Sequence, residues 1–289
     1  MPVRVQLPPQ LVEDARAFGD GSREPAEPRN AATVVLMRAG ADGPEVYLLR
    51  RQTSMAFAAG MCVFPGGGVD PRDFDHAIAW SGPSPSEWAA QLGTDESTAR
   101  ALVCAAVRET FEESGVLLAG PPAEDGTEAS VVADTTGADW EADRAALEAR
   151  ELAFTEFLDR RGLVLRTDLL GVWSAWLTPV FEPRRYRTWF FVAHLPEGQL
   201  TRDVSTESDQ VTWLPAMEAV EQVEAEQIMM LPPTYLTCLE VGQHADPQAV
   251  HEAAQGRVVE MFTPQLEESA SGTTLSVPPG MRDLLGSRP

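Results

Sequence analysis

The sequence predicts an α/β fold, and three observations predict it. A hairpin signal opens the sheet, a glycine-rich turn ends a strand, and an amphipathic helix bearing three carboxylates follows. The hairpin is read from Ala32 to Met37 and Glu45 to Arg50, apolar or alternating runs around Ala39-Gly40-Ala41-Asp42-Gly43. Cys62-Val63-Phe64-Pro65-Gly66-Gly67-Gly68-Val69-Asp70 reads as a strand entering a loop where three glycines permit positive φ and close backbone approach. The helix is expected to start near Thr94 or Asp95, either of which can accept from first-turn amides. Val103, Val107, Thr110 and Phe111 form its core-facing stripe, and Gly115 supplies a left-handed cap.

Punctuation and periodicity place the other elements. Val116 to Leu118 is expected as a short strand, Pro121 to Gly137 as a loop, and Trp140 to Arg161 as an exposed helix. Leu163 to Leu177, Thr188 to Leu195 and Val211 to Leu214 read as strands. Ala216 to Met230 reads as a long acidic helix, Thr234 to Val241 as another, and Val258 to Phe262 precedes a Ser/Gly/Pro-rich tail. Residues 1–30 are expected to form an N-terminal arm, 31–241 the main domain, and 242–289 a C-terminal extension.

The segment Arg108-Glu109-Thr110-Phe111-Glu112-Glu113-Ser114-Gly115 concentrates negative charge. At about 100° per residue, Glu109 and Glu113 nearly eclipse each other and Glu112 projects into the same third of the helix. Like charges at this spacing cost about a few tenths of a kcal/mol per pair on an isolated helix. Alone, the pattern also describes a solvated acidic face. Joined to the glycine turn, it describes an outward-looking platform of hard oxygen ligands suited to Mg²⁺ or Mn²⁺.

Gly67, then Arg108-Glu109, Glu112-Glu113 and Gly115-Val116, resembles the signature of the Nudix hydrolase family. The resemblance implies the Nudix fold, a mixed β-sheet sandwiched between helices, and a loop and helix that bind divalent cations and a pyrophosphate-containing substrate. One departure stands out. About fifteen positions separate the glycine from the first glutamate in the family pattern, whereas Gly67 and Glu109 are 42 apart. A helical or loop insertion of roughly 27 residues, about 71–97, interrupts the box. Arg100 stands where strict spacing wants a glutamate, leaving Asp70, Asp73 or Glu96 as substitutes.

Further similarities narrow the subgroup. Leu48-Leu49-Arg50-Arg51, Gly60 and Phe64-Pro65-Gly66-Gly67 resemble the segment upstream of the box in coenzyme A diphosphatases, although Ala56 and Ala58 occupy that motif's Arg and His positions. Trp176-Leu177-Thr178-Pro179, Pro183 to Phe191 and Leu231-Pro232-Pro233-Thr234 resemble the acyl-coenzyme A diphosphatase branch. The implied activity is Mg²⁺-dependent hydrolysis of a diphosphate, foremost in coenzyme A or acyl-coenzyme A. The alternatives are a diphosphatase for ADP-ribose, a dinucleotide or an oxidised nucleotide, and a non-catalytic Nudix module that senses a ligand or binds a protein.

Composition restricts the partners. Net charge is −22, and all 22 basic residues are arginine. Without lysine there is no Schiff-base chemistry and no P-loop lysine. The acidic excess argues against a nucleic-acid polymer, whose binding draws on many Lys/Arg–phosphate contacts. A small anionic, nucleotide-type substrate needs only metal ions and a few placed arginines. No apolar run reaches the roughly 20 residues of a membrane span, and Met1 to Gln10 lacks a signal-peptide core. With Cys62, Cys104 and Cys238 scattered on apolar elements, a cytoplasmic protein with reduced, buried cysteines is expected.

Roles follow from these readings. Glu109, Glu112 and Glu113, with backbone carbonyls near Gly66 and Gly67, are the expected metal ligands, and Glu109 or Glu207 the expected base or water-positioning carboxylate. Glu207 lies in a loop before the Val211 strand. Arg51, Arg184, Arg185 and Tyr186 are the candidate substrate contacts, the arginines as bidentate phosphate clamps and Tyr186 as a stacking ring or a core residue. Arg108 is expected to orient Glu112 as an i, i+4 partner. His76, His194, His244 and His251 show no metal-ligand spacing, and no Gly-x-Ser-x-Gly elbow is present. The insertion could serve as a lid or as the contact of a homodimer.

Overall fold

The computed structural model describes residues 9–19, 23–55, 58–75, 77–123, 129–269, 272–286 and 288. The first eight residues of the expected arm, Ala56 and His76 lie outside the described residues. After helix α1 (Pro9–Gly19), strands β1 (Arg29–Gly40) and β2 (Gly43–Arg51) form the expected antiparallel hairpin, with Gly40 opposite Gly43. β3 (Cys62–Val63) pairs with β2, and β4 (Gly66–Gly68) pairs with β1. The three glycines therefore make a short strand and not a positive-φ loop, since none of them has positive φ.

The insertion is ordered. A 3₁₀ turn at Pro71–Phe74 leads to β5 (Trp80–Ser81) and α2 (Pro85–Leu92). Ser84 and Glu87 close a capping box, and Pro85 takes the first helical position. Trp88 is 1 % exposed and meets Phe191 edge-on at 5.8 Å. Trp189 Nε1 donates to the Leu92 carbonyl at 2.9 Å, tying the insertion to the sheet. The signature helix α3 (Glu96–Ser114) begins at Asp95, whose carboxylate accepts from Thr98 N at 2.9 Å, and ends at Gly115 with φ +74.

Beyond α3 the chain departs from its sequence pattern in several places. Residues 116–118 are not strand; β6 is Ala119–Gly120. The single exposed helix expected over Trp140 to Arg161 is two helices, α4 (Ala138–Glu148) and α5 (Phe154–Arg161), because Leu147, Leu152, Phe154, Phe157 and Leu158 must all reach the core. β7 (Val164–Arg166), β8 (Leu170–Leu177), β9 (Tyr186–His194) and β10 (Ser208–Pro215) follow. Helix α6 (Ala216–Glu224) stops short of Met230, with Glu226 at φ +59, and α7 spans Pro232–Val241. Helix α8 (Pro247–Ala254) was not anticipated. β11 (Met261–Phe262), the hairpin β12 (Leu266–Ser269) and β13 (Gly272–Leu275), and α9 (Met281–Leu285) complete the chain.

The main sheet runs β10-β2-β1-β9-β8-β11, with β1–β9 and β8–β11 parallel and the other neighbours antiparallel. It is a mixed sheet between two helical layers, as expected. Ala32, Val34 and Leu36 of β1 face the layer of α2, α3 and α5, whereas Val35 and Met37 face α6, α7, α8 and α9. Cys62, Cys104 and Cys238 are buried and unbridged. Among the described residues, no helix is long and apolar enough to cross a membrane.

Because Trp88 belongs to the core, Trp88→Ala should cost about 3–5 kcal/mol of stability, read by urea denaturation. A loss below about 1 kcal/mol would make the insertion a peripheral loop.

Candidate active site

Helix α3 is apolar and buried on nearly every side, so its carboxylates do not look outward as expected. Glu112 and Glu113 are each 8 % exposed. They lie under β4, the loop before β10 and helix α4. Arg108 organises them with all five of its donors. Nε and Nη2 hold Asp73 at 3.0 and 2.9 Å, Nη1 reaches Glu109 at 2.7 Å and Glu112 at 3.2 Å, and Nη2 also donates to the Gly68 carbonyl at 3.1 Å.

Of the three acids expected as substitutes for the early acid of the box, Asp73 is the one that pairs with Arg108. It is 1 % exposed and also accepts from Asp70 N at 2.8 Å, closing a capping box on the 3₁₀ turn. The signal was present in Asp70-Pro71-Arg72-Asp73, an acid, a proline and a second acid three positions on. Arg100 instead packs over the Trp80 ring at 4.5 Å and donates to the Ile78 carbonyl. Glu96 sits in the first turn of α3, at the helix end far from Arg108.

The glycines act through proximity. A Cβ on Gly67 would lie 2.5 Å from the carboxyl carbon of Glu109, so only glycine admits that side chain against β4. Gly66 reaches the cluster through its amide, whose N–H donates to Glu113 Oε2 at 2.7 Å. Glu207 enters from the loop before β10, where Arg51 Nη2 holds it at 2.9 Å and Gln52 N donates to its carbonyl at 2.9 Å.

These groups line one cavity of about 120 Å³, with Glu109, Glu112, Glu113, Glu207, Arg108 and Asp70 on its wall. Helix α4 closes a side of it. Arg144 donates to the Glu112 carbonyl at 2.6 Å and pairs with Glu148, which accepts from Thr206 N at 2.8 Å. Arg72, Glu148, Arg150 and Ser205 also line the cavity and carried no sequence signal for it.

Arg184, Arg185 and Tyr186 are elsewhere. With Ala26, Glu27, Arg29 and Pro183 they line a second cavity of about 370 Å³. Arg29 pairs with Tyr186, and strand parity puts both on the face of Val35 and Phe190, opposite α3. Arg185 is buried and donates to the Thr178 and Ala26 carbonyls at 3.1 and 3.0 Å.

A family model described as the NUDT19 Nudix domain matches residues 85–240, more than half of the chain. The chain belongs to this family. It is 25% identical over 269 residues to the acyl-coenzyme A diphosphatase NUDT19 of Xenopus laevis, covering 81% of this chain and 70% of that one. It is 28% identical over 284 residues to the acyl-coenzyme A diphosphatase NUDT19 of Gallus gallus, covering 80% and 72%. A solved NUDIX hydrolase from Alicyclobacillus acidocaldarius superposes with a TM-score of 0.65 at 26% identity, over 81% of this chain and 99% of that one. The protein is thus a Nudix hydrolase.

The electrostatics of this Nudix site are unbalanced. Burial, then the charge of Glu109, pushes the Glu112 carboxyl up to about 7. Burial and Glu109 raise Glu113 well above the ordinary carboxylate range, and burial raises Glu109 against the opposing pull of Arg108. In contrast, the Arg72 hydrogen bond draws Asp70 down to about 2. Among the described residues no three His, Cys, Asp or Glu side chains are gathered tightly enough to hold a metal ion. Arg108 and the Gly66 amide draw the glutamates to separate partners.

A carboxyl raised on folding contributes stability below its unfolded value and loses it as pH rises through its folded value. For Glu112 that window runs from 4.5 to about 7. Denaturation in chelator should therefore show stability falling as pH rises across this window, less steeply in Glu112→Gln. Superimposable pH curves would remove this account of the cluster. Gly67→Ala should displace Glu109 and lower turnover by about 100-fold, measured as kcat/KM; unchanged turnover would mean the approach is not needed.

Proposed function

We propose that this chain hydrolyses the diphosphate linkage of coenzyme A or acyl-coenzyme A in a Mg²⁺-dependent reaction. The observation that carries the chemistry is the cluster of Glu109, Glu112 and Glu113 with the half-exposed Glu207 beside it, whose negative charge Arg108 and Arg51 only partly offset. The two NUDT19 relatives named as acyl-coenzyme A diphosphatases support the substrate.

The donor set fits a hard dication. Carboxylate oxygens penalised by mutual repulsion and burial are stabilised by a cation between them. Glu109, Glu112 and Glu113, with backbone oxygens near Gly66 and Gly67, would hold Mg²⁺ or Mn²⁺. Such ions supply charge neutralisation at the diphosphate and acidify a coordinated water. Glu207, half-exposed on the cavity wall and oriented by Arg51, is placed to position the attacking water or accept its proton, with Glu109 the other carboxylate able to do so. Arg51 contributes positive charge beside Glu207 and Glu113. Arg108 keeps Glu109 and Glu112 in register. The catalytic domain spans 31–241, with residues 1–30 and 242–289 as arm and extension.

Coenzyme A, acyl-coenzyme A, ADP-ribose, NADH and nucleoside triphosphates, each with Mg²⁺, form the test panel. Turnover should be highest on coenzyme A or its acyl ester and fall at least about 100-fold in Glu113→Gln. Preference for ADP-ribose or a dinucleotide would replace the substrate assignment. No cleavage anywhere in the panel would favour a ligand-sensing module. Mg²⁺ should also raise the thermal midpoint of the wild type, and more at pH 8 than at pH 5.5, because protons compete for the same carboxylates; a shift independent of pH would argue against these ligands.

A further inference from the structure

The junction between α4 and α5 holds an arginine in a backbone conformation that glycine ordinarily takes. Arg150 has φ +61. Its N–H donates to the Leu147 carbonyl at 2.8 Å, and that of Glu151 to the Ala146 carbonyl at 2.8 Å, the paired closure of a Schellman motif. Helices α2, α3 and α5 stop at Gly93, Gly115 and Gly162, all left-handed, whereas α6, like α4, closes on a left-handed non-glycine, Glu226 at φ +59. At the end of α4 it keeps a side chain that strains the backbone.

Arg150 is exposed and lines the carboxylate cavity beside Glu109, Glu112, Glu113 and Glu207. The other two arginines on the same wall are committed, Arg108 to Asp73, Glu109 and Glu112, and Arg72 to Asp70. Arg150 forms no ion pair among the described residues, in a chain where 44 acidic residues face 22 basic ones. Its backbone is also pinned from outside the helix. Arg72, fixed on Asp70 by two contacts, donates through Nη1 to the Arg150 carbonyl at 3.3 Å. An anchored arginine on the wall of an acidic cavity, with no ion pair among the described residues, is suited to contact a diphosphate.

We propose that Arg150 is a substrate-binding residue that donates hydrogen bonds to nonbridging oxygens of the diphosphate. This rests on the diphosphate reading of the cavity. It adds the cation that the carboxylate cluster lacks on its α4 side, where a guanidinium can meet two phosphate oxygens at once.

The test compares ADP binding in Mg²⁺, by calorimetry, for the full chain and for Arg150→Gly, Arg150→Ala and Arg150→Lys. Glycine and alanine should each weaken ADP binding about tenfold or more, and lysine less. Arg150→Gly should at the same time raise the thermal midpoint by about 2–4 °C, because it relieves the left-handed strain, while alanine should not. Weakened binding in a more stable protein is a result that a purely structural Arg150 cannot produce. Equal ADP affinity in wild type and alanine variant, or no ADP binding by the wild type, overturns the proposal. Binding does not depend on turnover, so loss of ADP affinity supports Arg150 even if the substrate panel stays uncleaved. Coenzyme A turnover with unaltered ADP affinity in the variants sinks Arg150 alone.

Discussion

Everything at the site depends on the guanidinium of Arg108. Its five N–H groups join four residues from three elements: Asp73 from the insertion, Gly68 from β4, and Glu109 and Glu112 from α3 itself. Planarity matters here, because the Nε/Nη2 edge takes Asp73 bidentately while Nη1 is left to the glutamates. A lysine could not hold both edges. The same geometry explains why the site stays acidic. One positive charge is shared among three carboxylates, and Glu113 has the Gly66 amide and the more distant charge of Arg51, so burial outweighs these partners and raises Glu112 and Glu113.

What the sequence disclosed about this arrangement was what local chemistry controls. The start and end of α3 were legible because Asp95 and Gly115 satisfy terminal backbone groups regardless of tertiary context. The β1–β2 hairpin was legible for the same reason. For Gly66 to Gly68 the sequence suggested both positive φ and close approach, because a glycine run signals either, and the structure keeps the close approach alone. The extended φ of these glycines and the Glu109 carboxyl standing where a Gly67 Cβ would be tell the two apart. The acidic face was expected to be exposed because periodicity reports which residues are polar, not what covers them. Here β4, the loop carrying Glu207, and α4 cover them, and each arrives through long-range pairing that no local window contains.

Residues 140–161 show the same limit from the apolar side. Their periodicity suits one long helix, yet a straight helix could not turn Leu147 and Phe157 together toward the core while Arg144 reaches the Glu112 carbonyl. Breaking the helix at Ala149 to Ala153 solves both demands and places Glu148 and Arg150 at the cavity. Tertiary packing thus overrides the local preference at the point where it also builds the site wall. The second cavity, with Arg184, Arg185 and Tyr186, illustrates a different failure. Sequence proximity to a strand end says nothing about which face of the sheet a residue meets until the register with β1 is known.

The roughly 27-residue interruption of the box is compatible with this site for a physical reason. Lengthening a closed loop costs little, about 0.6 kcal/mol for each doubling of length, provided its ends are still held together. In this chain they are held by the Asp73–Arg108 pair, which sits just inside the insertion on one side and on the signature helix on the other. Desolvation would normally erode the benefit of such an ion pair, but here both oxygens of Asp73 and every donor of Arg108 are satisfied, which is the condition under which buried pairs hold. The remainder of the insertion then offsets its ordering entropy by burying Trp88 and Leu92 against β9. Asp73, at the stem of the inserted segment, does two jobs with one carboxylate, closing the loop and orienting the arginine that organises the glutamates.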